Sequence, residues 1–413
     1  MIILSHPTAN QFVRYTASGF VNVQILQVFY TSLASFENDL LYKLGGIKQF
    51  AEFRKRVFDN NLKPFTNTNP YHELMRQVAM KFGWNDFIKH EFGKFCVDAV
   101  YSNHDNWVSK KIAHQKQNGA KAIYAYEDAA LKSFKRAKQF GLTNFYDLSI
   151  GYWRMGAELL EAEKERRPDY AVTLTGLLNS AEKLARKDEE IELANHIIVA
   201  SSFTKNSLSY YPQSLENIKV IPYGFPLVNN AFVKTEKQKQ QPLKVLFVGG
   251  LTQRKGIAEV FDSVAKFGSQ IQLTVIGKKT NMDCKTLNDN LAKHTWIPAL
   301  PHNEILQQMQ AHDVLLFPSF FEGFGMVISE AMSQGLPVIT TANTAGKDFI
   351  INGENGWLVT PGNTLAIEEI LEILIRNPEQ LLGISQQAKL TAMHRPWSVY
   401  ANEIASFVKD KIC

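Results

Sequence analysis

The second half of this chain alternates two hydrophobic rhythms, and that alternation restricts its fold more than any other feature. "LKVLFVGG" (243–250), "IQLTVIG" (271–277), "DVLLFPS" (313–319) and "LPVITT" (336–341) are short apolar, β-branched runs. Between and after them lie "RKGIAEVFDSVAKFG", "NEILQQMQAH", "MVISEAMSQ" and "TLAIEEILEILIRN", whose apolar residues recur with a helical period. This order predicts βαβ units around a parallel sheet. Open sheets of that kind bind ligands beyond the carboxyl ends of their strands. The loops "GGLTQRKG", "GKKTN", "PSFFEGFG" and "TANTAGKD" each follow a strand, so one rim should collect them.

The first half repeats the pattern with weaker punctuation. "MIILSH", "KAIYAY", "TNFYDLSI", "HIIVAS" and "IKVIPYG" read as strands, "ALKSFKRAKQFG" as a helix, and Trp153 to Ala194 as a charged, interrupted helical stretch. A chain of 413 residues exceeds one ordinary core. The expected fold class is therefore α/β, with two Rossmann-like domains at residues 1–227 and 243–395. The polar stretch 228–242 between them lacks apolar periodicity and reads as a linker. "RPWSVYANEIASFVKDKIC" predicts a closing helix over 396–413.

Composition narrows the class. No run of about 18 apolar residues exists, the start lacks a basic region leading into a long apolar stretch, and the three cysteines (Cys96, Cys284, Cys413) are widely spaced. Those features favour a cytoplasmic protein without a disulfide framework or a zinc site. The net charge of +5 is too small for a nucleic-acid footprint. It is unevenly placed, with 13 Lys/Arg against 9 Asp/Glu between Glu37 and Asn118. That segment also carries Phe50, Phe53, Phe58, Phe65, Phe82, Trp84, Phe87, Phe92, Phe95 and Trp107. Two readings stand for this aromatic and basic insert at about 37–118. It is either a helical insert packing its rings inward, or a peripheral surface for membrane or a lipid-linked acceptor.

The chemistry concentrates in "PSFFEGFGMVISEAMSQGLPVITT". Gly323 and Gly325 permit a tight turn, a helix is expected from Met326 to about Gln334, and Gly335 with Pro337 ends it. Free N–H groups at such a helix start favour anions and hydroxyl oxygens. Glu322 stands beside those donors and Glu330 one turn deeper, so each acid can accept hydrogen bonds from a set of vicinal hydroxyls. Two hydroxyl pairs joined by an anionic bridge describe a nucleotide sugar. Across the rim "VGGLTQRKGI" places Arg254 and Lys255 just before a helix, where cations are disfavoured unless an anion offsets them. This is neither a G-x-G-x-x-G fingerprint nor a Walker loop.

Together these residues resemble the donor domain of the retaining family-4 glycosyltransferases of the GT-B fold. "PSFFEGFGMVISEAMSQGLPVITT" is similar to that family's Glu-x7-Glu motif, "FVGGLTQRKG" to its diphosphate loop, "INGENGWLV" to its characteristic turn and "HDVLLFPS" to the strand before the motif. The resemblance covers about Leu243 to Asn363. It implies two domains facing across a cleft, with the closing helix returning to the N-terminal domain. It implies that Glu322 holds donor-sugar hydroxyls with help from the backbone at Phe324, Gly325 and Met326, and that Glu330 holds the ribose. Arg254 and Lys255 would bind the diphosphate near Gly250, and backbone around Gly277 and Ile297 would meet the base. The implied reaction is retaining transfer from a nucleoside-diphosphate sugar to a glycan or lipid-linked hydroxyl, with no metal and no other cofactor. The family often has an arginine where Gly250 stands, which leaves the identity of the cation pair open.

The first half resembles the family in outline only. His6, Asn10, Glu127, Asp128 and Asp147 lie at strand ends where polar groups facing the acceptor are expected, and His104 with Asp105 form a further candidate pair. Arg14 flanks the first loop, and Ser201 and Ser202 sit at the tip of a later one. Partners implied are a nucleotide sugar and a glycan or lipid-linked acceptor, with no nucleic acid and with peripheral contact at the inner face of a membrane. The alternatives are an epimerase or phosphorylase of the same fold, or a non-catalytic nucleotide-sugar-binding subunit.

Overall fold

The computed structural model describes residues 1–8, 10–39, 42–43, 45–46, 56–228, 234–235, 237–280 and 283–412. Ala9, Phe50, Phe53, Cys413 and residues 229–233 and 236 of the linker lie outside the described residues. The strands are β1 (Ile2–Ser5), β2 (Leu26–Thr31), the short pair β3 (Ser35–Phe36) and β4 (Val57–Phe58), β5 (Thr66–Thr68), β6 (Ala122–Tyr126), β7 (Thr143–Leu148), β8 (His196–Val199) and β9 (Ile218–Val220) in the first domain. The second domain holds β10 (Leu243–Val248), β11 (Ile271–Ile276), β12 (Thr295–Ile297), β13 (Val314–Phe317), β14 (Val338–Thr341) and β15 (Gly356–Val359).

The first sheet runs β5-β2-β1-β6-β7-β8-β9 and the second β12-β11-β10-β13-β14-β15. Their pairings are parallel throughout. Each sheet reverses its strand order once, between β1 and β6 and between β10 and β13, opening a crevice at the carboxyl ends there. Burial on both faces explains the continuous apolar runs: every residue of β1, β6, β13 and β14 is buried.

The closing helix Trp397–Ile412 does return to the first domain, against helix Gln11–Asn22. A Cβ at Gly19 would meet the Ala401 carbonyl at 2.3 Å, so the two backbones approach as only glycine allows. Tyr15 stacks on Trp397 at 4.9 Å, and Thr16 shares a 2.8 Å hydrogen bond with Tyr400. The two chain crossings between the domains lie side by side, the Phe225 N–H donating to the Arg395 carbonyl at 2.8 Å.

The described part of segment 37–118 carries the helices Tyr71–Phe82, Asn85–Ile88, Val97–Ser109 and Ile112–Gln117, and it also contributes strands. β5 within it forms the edge of the first sheet against β2, and β3 and β4 make a small sheet of their own. The edge strand "TNT" is short and polar, so apolar periodicity gave no sign of it. β2 went unread because its run follows helix Gln11–Asn22 with only a brief break.

Candidate active site

The residues flanking Glu322 are anchored in the other domain. The Phe321 ring packs against Phe203 at 5.8 Å, and Cβ atoms at Gly151 and Gly156 would meet it at 2.6 and 2.8 Å. The next carbonyl, of Gly323, accepts from the Thr204 hydroxyl at 3.0 Å and also from the Ser201 hydroxyl. Side chains are excluded at Gly323 itself, where a Cβ would stand 1.9 Å from the Ser149 carbonyl oxygen. Glu322 is thus aimed by contacts on either side of it along the chain. Gly325, at φ 81°, then turns the backbone into helix Met326–Ser333. The Phe324 side chain is spent on packing, against Tyr223 at 5.1 Å and Phe349 at 6.0 Å.

Arg254 and Lys255 are delivered to the same carboxylate. Their neighbour Gln253 is fully buried and donates to Glu163 at 2.6 Å and to Glu259 at 2.7 Å. Its backbone N–H donates to the Thr173 hydroxyl at 2.9 Å, and Arg166 bridges Glu163 and Glu259. After the cations, Gly256 lies at φ 71° against the Pro318 carbonyl, 2.2 Å from where a Cβ would stand. Arg254 Nη1 lies 3.5 Å from Glu322 Oε2 and donates to the Phe321 carbonyl at 2.7 Å. Lys255 is ion-paired with Glu322 and sits over the Phe317 ring at 4.9 Å. Two cations therefore share one carboxylate in a largely buried place. Burial lowers the Arg254 guanidinium to about 10. Burial first, and then the Arg254 charge, pulls the Lys255 ammonium well below its usual range, an effect the Glu322 carboxylate opposes.

Glu330 is half-buried one turn into the helix, and His302 Nε2 meets its Oε1 at 3.0 Å. That hydrogen bond raises the His302 pKa. His302 was not singled out from sequence; its only signal is its place after Pro301 at a helix start. It also borders a cleft of about 670 Å³ whose opposite wall carries Gln11, Arg14 and Tyr15 of the first domain. At the far end of the rim the Gly277 N–H donates to the Ile297 carbonyl at 3.0 Å, so those two positions adjoin. Gly250, beside them after β10, is exposed with open space where a side chain would stand.

Residues 228–391 match the model for Glycosyl transferases group 1. A capsular polysaccharide biosynthesis glycosyltransferase, CapM, of Staphylococcus aureus is 32% identical over 222 residues, 50% of this chain and 53% of that protein. The lipopolysaccharide 1,6-galactosyltransferase of Salmonella typhimurium is 30% identical over 183 residues, 42% of this chain and 50% of that protein. The chain thus spans about half the length of the curated relatives it matches. The sucrose-phosphate synthase of Thermosynechococcus elongatus superposes with a TM-score of 0.66 at 17% identity, covering 99% of this chain and 98% of that one. HepE of Anabaena, solved in complex with UDP, gives 0.62 at 17% identity over 99% of both chains. The fold is GT-B.

The first domain of this GT-B chain uses most of its candidate polar residues internally. His6 is buried, its ring 4.7 Å from Tyr126 and its Nδ1 held by Thr8, and burial lowers its pKa to about 3. Asn10 is exposed at the start of helix Gln11–Asn22, without a capping hydrogen bond from its side chain. Asp147 is buried and accepts from the Tyr124 hydroxyl at 2.6 Å; burial raises it to about 7. Asp105 accepts the backbone N–H groups of Lys132 and Ser133 at 2.6 and 2.9 Å, which caps helix Leu131–Gln139. His104, 3.1 Å from the Ser5 hydroxyl, is as buried as His6. Glu127 differs. Paired with Lys187 at 2.7 Å, it lines a cavity of about 420 Å³ shared with Trp153, Asn179, Arg254 and Phe321. Asp128, beside it, is held by Arg186 at 2.8 Å. Ser202 is joined across the domains, its N–H donating to Asp348 at 2.9 Å.

Proposed function

We propose that this protein transfers a sugar from a nucleoside diphosphate to a hydroxyl of a glycan or lipid-linked acceptor, with retention at the anomeric carbon. The observation that carries this reading is the convergence of Arg254 and Lys255 on Glu322. Two buried cations against one carboxylate leave a positive charge that burial penalises, and a diphosphate is the anion that would offset it. With donor bound, the cations turn to the diphosphate and stabilise the charge that develops as it leaves. Glu322, released from them, accepts hydrogen bonds from sugar hydroxyls, and the N-terminal N–H groups of helix Met326–Ser333 face the same ligand. Glu330, oriented by His302, takes the ribose hydroxyls. In the Glu-x7-Glu reading of this family-4 pattern, attack comes from the face the diphosphate leaves, so no protein nucleophile is needed. Glu127, beside Arg254 in the smaller cavity, is the acceptor-side group in reach of the incoming hydroxyl.

The relatives named for capsular polysaccharide and lipopolysaccharide synthesis point to a cell-surface glycan or glycolipid acceptor. UDP, present in the HepE complex, is the first nucleotide to test. Because two fixed cations supply the charge a divalent ion would otherwise bring, transfer should persist in EDTA. The deciding experiment screens nucleotide sugars by thermal shift and follows turnover of the hits with the native chain and Glu322→Ala. Turnover by the native chain and at least a thousandfold loss in a variant that melts normally is the expected outcome. Equal turnover by the two would remove the site assignment, and an epimer formed without acceptor would replace transfer with epimerisation.

A further inference from the structure

The segment read as either an inward-packed insert or a surface divides between the two, and the outward part is continuous. Phe58 and Phe95 are buried, but every residue from Met80 to Phe87 is exposed. Phe82 is 65% exposed, Trp84 45%, Phe87 46% and Phe92 83%. Phe82, Trp84 and Phe87 form a chain of contacts that continues through the buried Phe95 to Tyr71, with Phe82 to Trp84 at 5.6 Å and Trp84 to Phe87, Phe87 to Phe95 and Phe95 to Tyr71 each at 6.0 Å. A contiguous exposed aromatic patch marks an interaction site.

Charge selects the partner. Three acids near the patch are turned inward: Glu73 is bonded to Arg56 and Arg76 at 2.7 and 2.9 Å, Asp98 to Lys183 at 2.7 Å, and Glu91 accepts the Ser180 N–H at 3.0 Å. Lys81, Lys89 and Lys94 remain on the surface with Asp86 as the exposed acid among them. Lys89 lies over Phe92 at 5.8 Å and Lys94 over Phe95 at 5.6 Å, so ammonium groups adjoin the rings. Rings that enter an interface while cations remain at its charged layer suit an anionic lipid surface.

We propose that Met80–Lys94 docks this protein on an anionic bilayer. The patch adjoins the cavity that reaches Arg254, because His90 Nε2 lies 3.2 Å from the Asn179 side chain that lines it. Docking therefore sets that cavity beside the lipid headgroups, where the sugar end of a lipid-linked acceptor would enter. The surface goes beyond the transfer reading, and its test uses no sugar donor.

The experiment is co-sedimentation of the full chain with vesicles of phosphatidylcholine alone or mixed equally with phosphatidylglycerol. The native chain is expected to bind the mixed vesicles at least tenfold better, and less well as salt rises. Phe82→Ser with Trp84→Ser and Phe87→Ser should lose that binding at least tenfold, and Lys89→Glu with Lys94→Glu should lose its phosphatidylglycerol preference. Both variants should keep the native melting temperature, since the changed side chains are exposed. No binding by the native chain, or equal binding by the aromatic variant, overturns the proposal. Vesicle binding by a native chain that turns over none of the screened nucleotide sugars would leave it standing while removing the transfer reading.

Discussion

The two domains share a strand order through their first six strands yet employ polar residues in opposite ways. At the switch point of the second sheet, Arg254 and Lys255 share the single Glu322 carboxylate, and Arg254 lines a cavity. At the switch point of the first, His6 is sealed against the Tyr126 ring, and on the neighbouring strand β7 the buried Asp147 is held by the Tyr124 hydroxyl. A carboxylate or imidazole at the carboxyl end of a parallel strand is therefore no sufficient sign of a site. What separates the two cases is how the internal partners are shared: Asp105 is satisfied by two backbone N–H groups, whereas Arg254 and Lys255 share one carboxylate.

The domains also depend on each other, since the first one aims the acid of the second. The change expected to break this most severely is Gly323→Ala. A Cβ there meets backbone that cannot yield, so the loop must leave the Ser201 and Thr204 hydroxyls. Sugar transfer should fall at least a hundredfold with the second domain still folded, measured by turnover beside a thermal melt; unchanged turnover would show that Glu322 is aimed without those anchors. Next, Arg254→Ala with Lys255→Ala should weaken nucleoside-diphosphate binding by about 3–5 kcal/mol in calorimetry, the sum of two charge-assisted contacts. Retained affinity would erase the contrast between the two switch points.

Two smaller effects sharpen the comparison from the other side. Asp105→Ala leaves two helix-start N–H groups without their carboxylate and should cost about 2–4 kcal/mol of stability in urea titration. Turnover per folded molecule should stay native, and a selective loss of turnover would return Asp105 to the site. Asp147→Asn should act through pH. The folded state raises this acid to about 7, so between roughly pH 4 and 7 the native chain holds a proton the unfolded chain has released, and stability falls as pH rises. The amide removes that slope, giving a gain on the order of 4 kcal/mol at pH 8 and none at pH 4. A parallel pH profile for the two proteins would mean that Asp147 is charged in the folded state.

Legibility followed apolar pattern closely. In the second domain, strands such as "DVLLFPS" and helix Met326–Ser333 appear where the periodicity puts them, and Gly335 does sit at φ 69° past the helix end. β12 and the helices Lys285–Leu291 and Gln380–His394 were passed over, because "TWI" is too short and the helices too mixed in polarity to stand out. β2 and β5 were missed in the first domain for related reasons. At the candidate site, Glu322, Glu330, Arg254 and Lys255 were singled out from glycine spacing and misplaced charge, and folding brings the two cations to Glu322. His302 was not, since a histidine at a helix start carries no local signature and acquires meaning only 3.0 Å from Glu330.

Local chemistry by itself determined the βαβ succession, the tight glycine turns and the presence of cations where a helix start repels them. These are short-range matters of backbone sterics, side-chain period and dipole sign, and neighbours along the chain are enough to express them. Tertiary structure alone decided which polar groups remain unfinished and which rings face outward. Burial and pairing come from contacts such as Glu163 with Gln253, Glu91 with Ser180 and Ser201 with Gly323, whose partners are brought together only by folding.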